Sequence, residues 1–414
     1  MYYYREGDAV FASLLPSLPL EPAPRPQTAP ALFLVDQDPA DRPAAFRATD
    51  PRQLAAARMD VSWLDPGRMD VPTPSLPPEI ADAVRRGAVR AVNVRHPKWR
   101  EALRFSRPSA GKKRVHLLAV GDVGGTLLTA LKLLGGDCIE SVGICDLNEK
   151  TVERWTAEMA QVSWPWDYDV LPAVEPVDAA HLFDCDVFLF AATRGVPAVG
   201  SGVGDVRMAQ FAANRGIVES YARQARAARF SGLFIVLSDP VDPLCRAAYA
   251  ASNAGPNGAW DGLGLLAEQI QGFGLGVMNA RAAAMAKEDP RFAAFLTEGR
   301  SFGPHGQGLI IANSIARYDD ALSRELTETV TAANLRIREL GFKPYVAPAL
   351  SSGAMQLLLT LRGAWHCASV CLGGVWFGVR NRYTAAGLET ETLPLPDALF
   401  DRLRETEQSL RTIV

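Results

Sequence analysis

Five histidines occur among 414 residues, and one of them, His305, stands in "SFGPHGQG" (301–308), ahead of the apolar run "LIIA". A histidine holds or releases a proton near neutral pH, and a glycine beside it lets a ligand or a second strand come close. Gly and Pro also mark irregular backbone, so the stretch alone reads as a turn before a strand. A second stretch, "AVGDVGG" (119–125), follows an apolar run and opens a helical pattern. Gly121 and Gly124 fill the second and third glycine positions of a G-x-G-x-x-G fingerprint, and Ala119 stands at the first. There Gly121 would admit a pyrophosphate to the backbone, Gly124 would let helix and strand pack closely, and the helix N-terminus would offer N–H groups to the anion. Asp146 ends the next apolar run, about 20–25 residues on, where an acid binds a ribose diol. A carboxylate there repels a 2′-phosphate, so the expected cofactor is NAD rather than NADP. Val123 and Thr193 complete the expected cofactor-binding set.

The elements that must carry these residues are legible in the texture of the chain. "VHLLAV", "SVGICD", "DVFLFAAT" and "LFIVLS" are short apolar runs separated by helical patterns, among them one from about Met208 to Ala228. Such alternation predicts βαβ units and a parallel sheet covered on both faces. The expected class is α/β: a doubly wound parallel sheet (Rossmann) over 111–245, then a mixed α+β substrate domain over 246–414. In the latter, "HCASVCLGGVWFGVRNRY" predicts an antiparallel turn-back and "LPDALFDRLRETEQSLRTI" a closing helix. Residues 1–110 are rich in proline and lack a long periodic run. They predict an N-terminal extension with short elements, wrapped on the body or partly mobile, with one short helix within 96–105.

The totals exclude several classes. Hydrophobic residues make up 48% and charged residues 21%, as in ordinary globular proteins. A net charge of −3 gives no basic field for nucleic acid or an acidic membrane. No run of about 18–20 apolar residues spans a bilayer, and the first residues lack the pattern of a signal peptide. Six cysteines make no disulfide framework in a chain of this size. His366, Cys367 and Cys371 read as part of a strand, not as metal ligands, so no metal is expected, and the expected compartment is the cytoplasm.

Four further stretches stand in order: "TRGVPAVGSGVGDVRMAQFAANRGIV", "LSDPVDPL", "GFGLGVMNAR" and "FGPHGQG". With these the chain, from about Val115 onward, resembles the lactate/malate dehydrogenase family. The loop ending in Arg207, Asn214 seven residues later, and the 24 residues between Arg281 and His305 all match its spacing. The resemblance implies that Arg207 closes over the substrate and polarises its carbonyl, and that Arg281 grips a carboxylate. It implies that His305 is the acid–base and that Asn214 and Ala354 belong to the substrate site. These types suit the chemistry, since a planar guanidinium matches a carboxylate bidentately. A lid carrying Gly200, Gly202 and Gly204 would exclude water.

The departures from the family pattern are informative. Met278 stands where the family has the aspartate that orients the histidine, and Asn279 beside it is also uncharged. Asp239, in "SDPVD", stands where the family has an asparagine. We expect Asp239 to supply the missing negative charge, which makes it part of the catalytic set. Ala198 stands where a residue pairing with a second carboxylate is usual. The expected substrate is therefore a 2-oxo/2-hydroxy or imino acid that is not a small dicarboxylate, handled by a homo-oligomer that binds neither nucleic acid nor membrane. Two other readings stay open: a non-catalytic cofactor-binding or assembly protein, and an NAD-dependent hydrolase or lyase.

Overall fold

The computed structural model describes residues 1–40, 42–103, 111–194, 206–384 and 386–413, with no side-chain description for 206 and 207. Its centre is a nine-stranded sheet. Six strands run parallel: β7 (Lys113–Leu118), β8 (Ile139–Cys145), β9 (Ala173–Pro176), β10 (Val187–Phe190), β11 (Leu233–Val236) and β12 (Ile270–Gly272). Their order, β9-β8-β7-β10-β11-β12, is the doubly wound order 3-2-1-4-5-6. The four residues of β10 and of β11 are all buried, which is why these segments read as unbroken apolar runs. The helices Asp122–Leu134, Val206–Ala227 and Val241–Ser252 cross between them.

Beyond β12 the sheet turns antiparallel through β15 (His366–Leu372), β16 (Val375–Thr384) and β17 (Gly387–Thr390). A separate two-stranded hairpin, β13 (Arg300–Phe302) and β14 (Ile310–Ala312), carries the histidine loop. The closing helix spans Asp397–Thr412. His366 lies on β15 as a buried imidazole, its Nε2 3.1 Å from Thr360 Oγ1, and burial pushes its pKa down to about 3. Among the described residues no cluster of His, Cys, Asp and Glu has the makings of a metal site, and no helix is long and apolar enough to cross a membrane.

The short elements expected of residues 1–110 form a sheet of their own. Its six strands are β1 (Tyr2–Glu6), β2 (Ala9–Ser13), β3 (Glu21–Pro22), β4 (Leu32–Val35), β5 (Ala45–Ala48) and β6 (Val89–Asn93). This is a folded layer rather than a wrapped strap, with Phe11, Phe33 and Val89 fully buried. Its parallel pairs join distant segments, Phe11 with Leu32 and Leu32 with Arg90, so no local periodicity announces it. The expected short helix is present as Trp99–Ala102.

The layer is tied to the body by charge and hydrogen bonds. The Ala44 and Ala45 amides donate to the fully buried Glu268 carboxylate at 3.0 and 2.9 Å. Burial pushes the pKa of that carboxylate up to about 7, against the pull of those amides. Arg47 bridges to Glu389 on β17 at 2.7 Å, and the Val61 amide donates to Glu407 of the closing helix.

Candidate active site

A cleft of about 980 Å³ opens at the carboxyl ends of β7, β8 and β10. This is where the strand order reverses, the place at which open α/β sheets bind ligands. Gly121, Val123, Gly124, Asp146 and Thr193 all line it, so the structure gathers the five residues expected to hold a cofactor. A Cβ on Gly124 would lie 2.0 Å from the Ala119 carbonyl oxygen, so only glycine lets the helix approach the strand. A Cβ on Gly121 would meet nothing within 4 Å, which leaves the backbone open to a ligand. Gly121 brings no side-chain cap to the helix Asp122–Leu134, so its first N–H groups face the cleft without one. Asp146 accepts the Val120 amide at 2.9 Å and the Asn148 amide at 3.0 Å, which fixes its carboxylate at the rim. Each oxygen keeps a lone pair for a hydroxyl donor. Volume, glycine cradle and fixed acid together fit a dinucleotide.

Ala119 adopts φ = 72°, a left-handed conformation that costs a residue with a Cβ about 1–2 kcal/mol. Its amide donates to the Cys145 carbonyl at 2.8 Å, and this pins the turn. The fingerprint thus keeps its backbone where it lacks its first glycine. Ala119→Gly is expected to raise unfolding stability by about 0.5–1 kcal/mol, after the larger chain entropy of glycine is subtracted. Urea denaturation at neutral pH measures it, and a destabilised variant would refute the strain.

His305 lies in the loop between β13 and β14, where Gly306 (φ 138°) and Gly308 (φ 87°) take backbone conformations that favour glycine. A Cβ on Gly274, at the start of the helix Leu275–Glu288, would lie 2.7 Å from the His305 Cβ. The glycines therefore serve a turn and a close approach. His305 Nδ1 lies 3.2 Å from Asp239 Oδ1, with 18% of the histidine side chain exposed.

Asn214 links this end to the cleft. Its side chain, fully buried, donates to the Asp239 carbonyl at 2.8 Å and to Thr193 Oγ1 at 3.1 Å, and accepts the Arg194 amide at 2.9 Å. Its amide group is thus committed to the two loops. Asp242, which sequence reasoning quoted in "SDPVD" without a role, is buried beneath the histidine. It accepts the Ser369 hydroxyl and the backbone N–H of His305, and burial pushes its pKa up to about 6. A small cavity of about 210 Å³ adjoins His305 and Asp242 and is closed by Thr406 and Leu410 of the last helix.

Arg281 and Ala354 line neither cavity. Arg281 is half-buried on the helix Leu275–Glu288, with Nη1 3.6 Å from Met278 Sδ and 3.5 Å from the Val330 carbonyl. Burial lowers its pKa. Met278 is itself buried in an apolar cluster, and Asn279 accepts from the Ser301 hydroxyl at 3.2 Å. Ala354 is fully buried in the main core, at the end of the π-helical turn Pro348–Ala354. Ala198 and the glycines at 200, 202 and 204 lie outside the described residues, as does the side chain of Arg207. Sequence reasoning missed the far wall of the cleft, formed by Arg338, Lys343, Pro344 and Tyr345. Arg338 lies in the last turn of the helix Asp320–Glu339, and the "LGFKPY" turn that carries the other three gave no motif to read.

No family model matches the chain. L-lactate dehydrogenase 1 of Lactobacillus acidophilus is 28% identical over 141 residues, 34% of this chain and 40% of that protein. The chain thus spans 40% of the length of the curated relative it matches. The minor L-lactate dehydrogenase of Enterococcus mundtii superposes with a TM-score of 0.59 at 18% identity, covering 73% of this chain and 97% of that one. The malate dehydrogenase of Archaeoglobus fulgidus in complex with NADH gives 0.57 at 17% identity, covering 72% and 98%.

Proposed function

From a chain that is a divergent relative of the lactate and malate dehydrogenases and keeps their fold, we propose an NAD-dependent oxidoreductase. Its substrate is a 2-oxo/2-hydroxy acid, or a related imino acid, other than a small dicarboxylate. The observation that carries this reading is the linked pair of sites: a dinucleotide-sized cleft with a fixed Asp146, joined through Thr193 and Asn214 to Asp239 and His305.

When bound, the dinucleotide supplies or takes the hydride. Residues 111–245 hold it, with Asp146 on a ribose diol and the helix at Gly121 on the diphosphate. His305 Nδ1 lies 3.2 Å from Asp239 Oδ1, which assigns Nε2 to give a proton to the substrate carbonyl oxygen or take one from the alcohol. Asp239 fixes the tautomer and stabilises the imidazolium. Asn214 acts as a positioning residue, holding the Thr193 and Asp239 loops at one spacing. Arg281, with Arg207, takes the substrate carboxylate, and Ala198 offers no partner to a second one. The protein acts as a homo-oligomer on a small carboxylate.

A second reading, cofactor binding without turnover, draws on Met278, which puts a thioether where the family's aspartate would be. Titrating the protein into NADH and following nicotinamide fluorescence tests the cofactor site. A panel of 2-oxo acids, scored by loss of NADH absorbance, then tests turnover. Binding with no turnover across a broad panel would favour the second reading, and no binding would overturn both.

A further inference from the structure

The helix that opens on the cleft begins with an acid. Asp122 is its first residue, beside Gly121, and half of its side chain is exposed. A carboxylate there opposes any diphosphate brought to that helix N-terminus, because like charges side by side in a binding site cost affinity. Across the cleft, the helix Asp320–Glu339 ends at Leu340, and Gly341 (φ 84°) reverses the chain. That turn delivers Lys343 to the cleft wall, with Nζ 3.0 Å from Asp122 Oδ2. Arg338 lines the same wall, and among the described residues it has no carboxylate partner. The two charges of the Lys343–Asp122 pair lie 221 residues apart in the chain. With side chains 80% and 51% exposed, the pair adds little to folding stability. Its position explains it better than its strength does.

We propose that Lys343 is a cofactor-binding residue: it neutralises Asp122 and so makes the helix N-terminus able to accept the dinucleotide diphosphate. The proposal rests on the NAD reading above. It assigns part of the cofactor site to the second half of the chain, beyond the nucleotide fingerprint. Binding of the anion and placement of the Phe342–Tyr345 turn over the cleft are thereby coupled through one ammonium group.

The test compares NADH affinity by fluorescence in the wild-type chain, Lys343→Ala, Asp122→Asn and the double variant. Both side chains are at least half exposed, so the variants are expected to fold, and thermal unfolding with and without NADH gives a second readout. K343A should weaken NADH binding about tenfold or more, and less so at high salt, where screening weakens the exposed acid. D122N alone should bind as well as wild type or better. The double variant should recover most of the loss. If K343A binds within twofold of wild type, or the double variant stays as weak as K343A, the neutralising role is overturned. If wild type itself binds no NADH, the NAD reading falls and takes this proposal with it. That outcome differs from the other two.

Discussion

Asp239→Asn is expected to lower turnover by about three orders of magnitude while leaving NADH affinity nearly unchanged. The carboxylate lies 3.2 Å from His305 Nδ1, and asparagine keeps its shape but not its charge. An amide there can present its NH₂ to Nδ1 and favour the wrong tautomer, and it cannot stabilise the imidazolium. Losing a buried, hydrogen-bonded carboxylate from a catalytic histidine costs about 10⁴ in rate, and Asp239, with 46% of its side chain exposed, is expected to cost less. Asp242 also feels the His305 charge, but it is held by the Ser369 hydroxyl and the backbone N–H of His305, and burial pushes its pKa up to about 6, so it is expected to make up only part of the loss. The fold should survive the change, since Asn214 bonds the backbone carbonyl of residue 239 and not its side chain. Steady-state rates measured across pH are the check. An unchanged rate with an unchanged pH dependence would remove Asp239 from the mechanism and leave the histidine without the partner assigned to it.

That Asp239 could be placed near His305 from the sequence follows from local pattern. The strands of the parallel sheet are short, fully buried and separated by helices, so each stands out in the sequence, and residues at their carboxyl ends converge by topology. Gly121, Gly124, Asp146 and Thr193 occupy such ends, and so does the Asp239 loop. What the sequence hid depends on long-range pairing. The first sheet joins Phe11 to Leu32 and Leu32 to Arg90, and no window of the chain contains those partners together. Lys343 and Asp122 are hidden for the same reason. Asp242 was hidden differently. Its role is to be buried and to hold a backbone amide, and no spacing rule distinguishes that from a solvated acid. Ala354 shows the limit of resemblance: a position near the family's pocket lies here in the apolar core.

Arg281→Met should separate substrate binding from stability. The guanidinium is half-buried, and its described neighbours are a thioether sulfur at 3.6 Å and a carbonyl at 3.5 Å, with no carboxylate among them. Among the described residues no anion offsets that desolvation, and the lowered pKa of the group reflects its burial. Methionine fills much the same volume with no charge to bury, so unfolding stability is expected to rise by about 1 kcal/mol. For a 2-oxo acid that wild type turns over, kcat/KM should fall by about two orders of magnitude, mostly through KM. Leaving the substrate carboxylate without its partner costs about 2–5 kcal/mol. NADH affinity should not move, since the helix Leu275–Glu288 contributes no wall to the cofactor cleft. The opposed signs are what make the experiment decisive. A structural arginine would lose stability when replaced and leave KM alone, whereas a carboxylate receptor gains stability and loses its substrate. If stability falls and KM stays constant, Arg281 belongs to the helix packing and the carboxylate is held elsewhere.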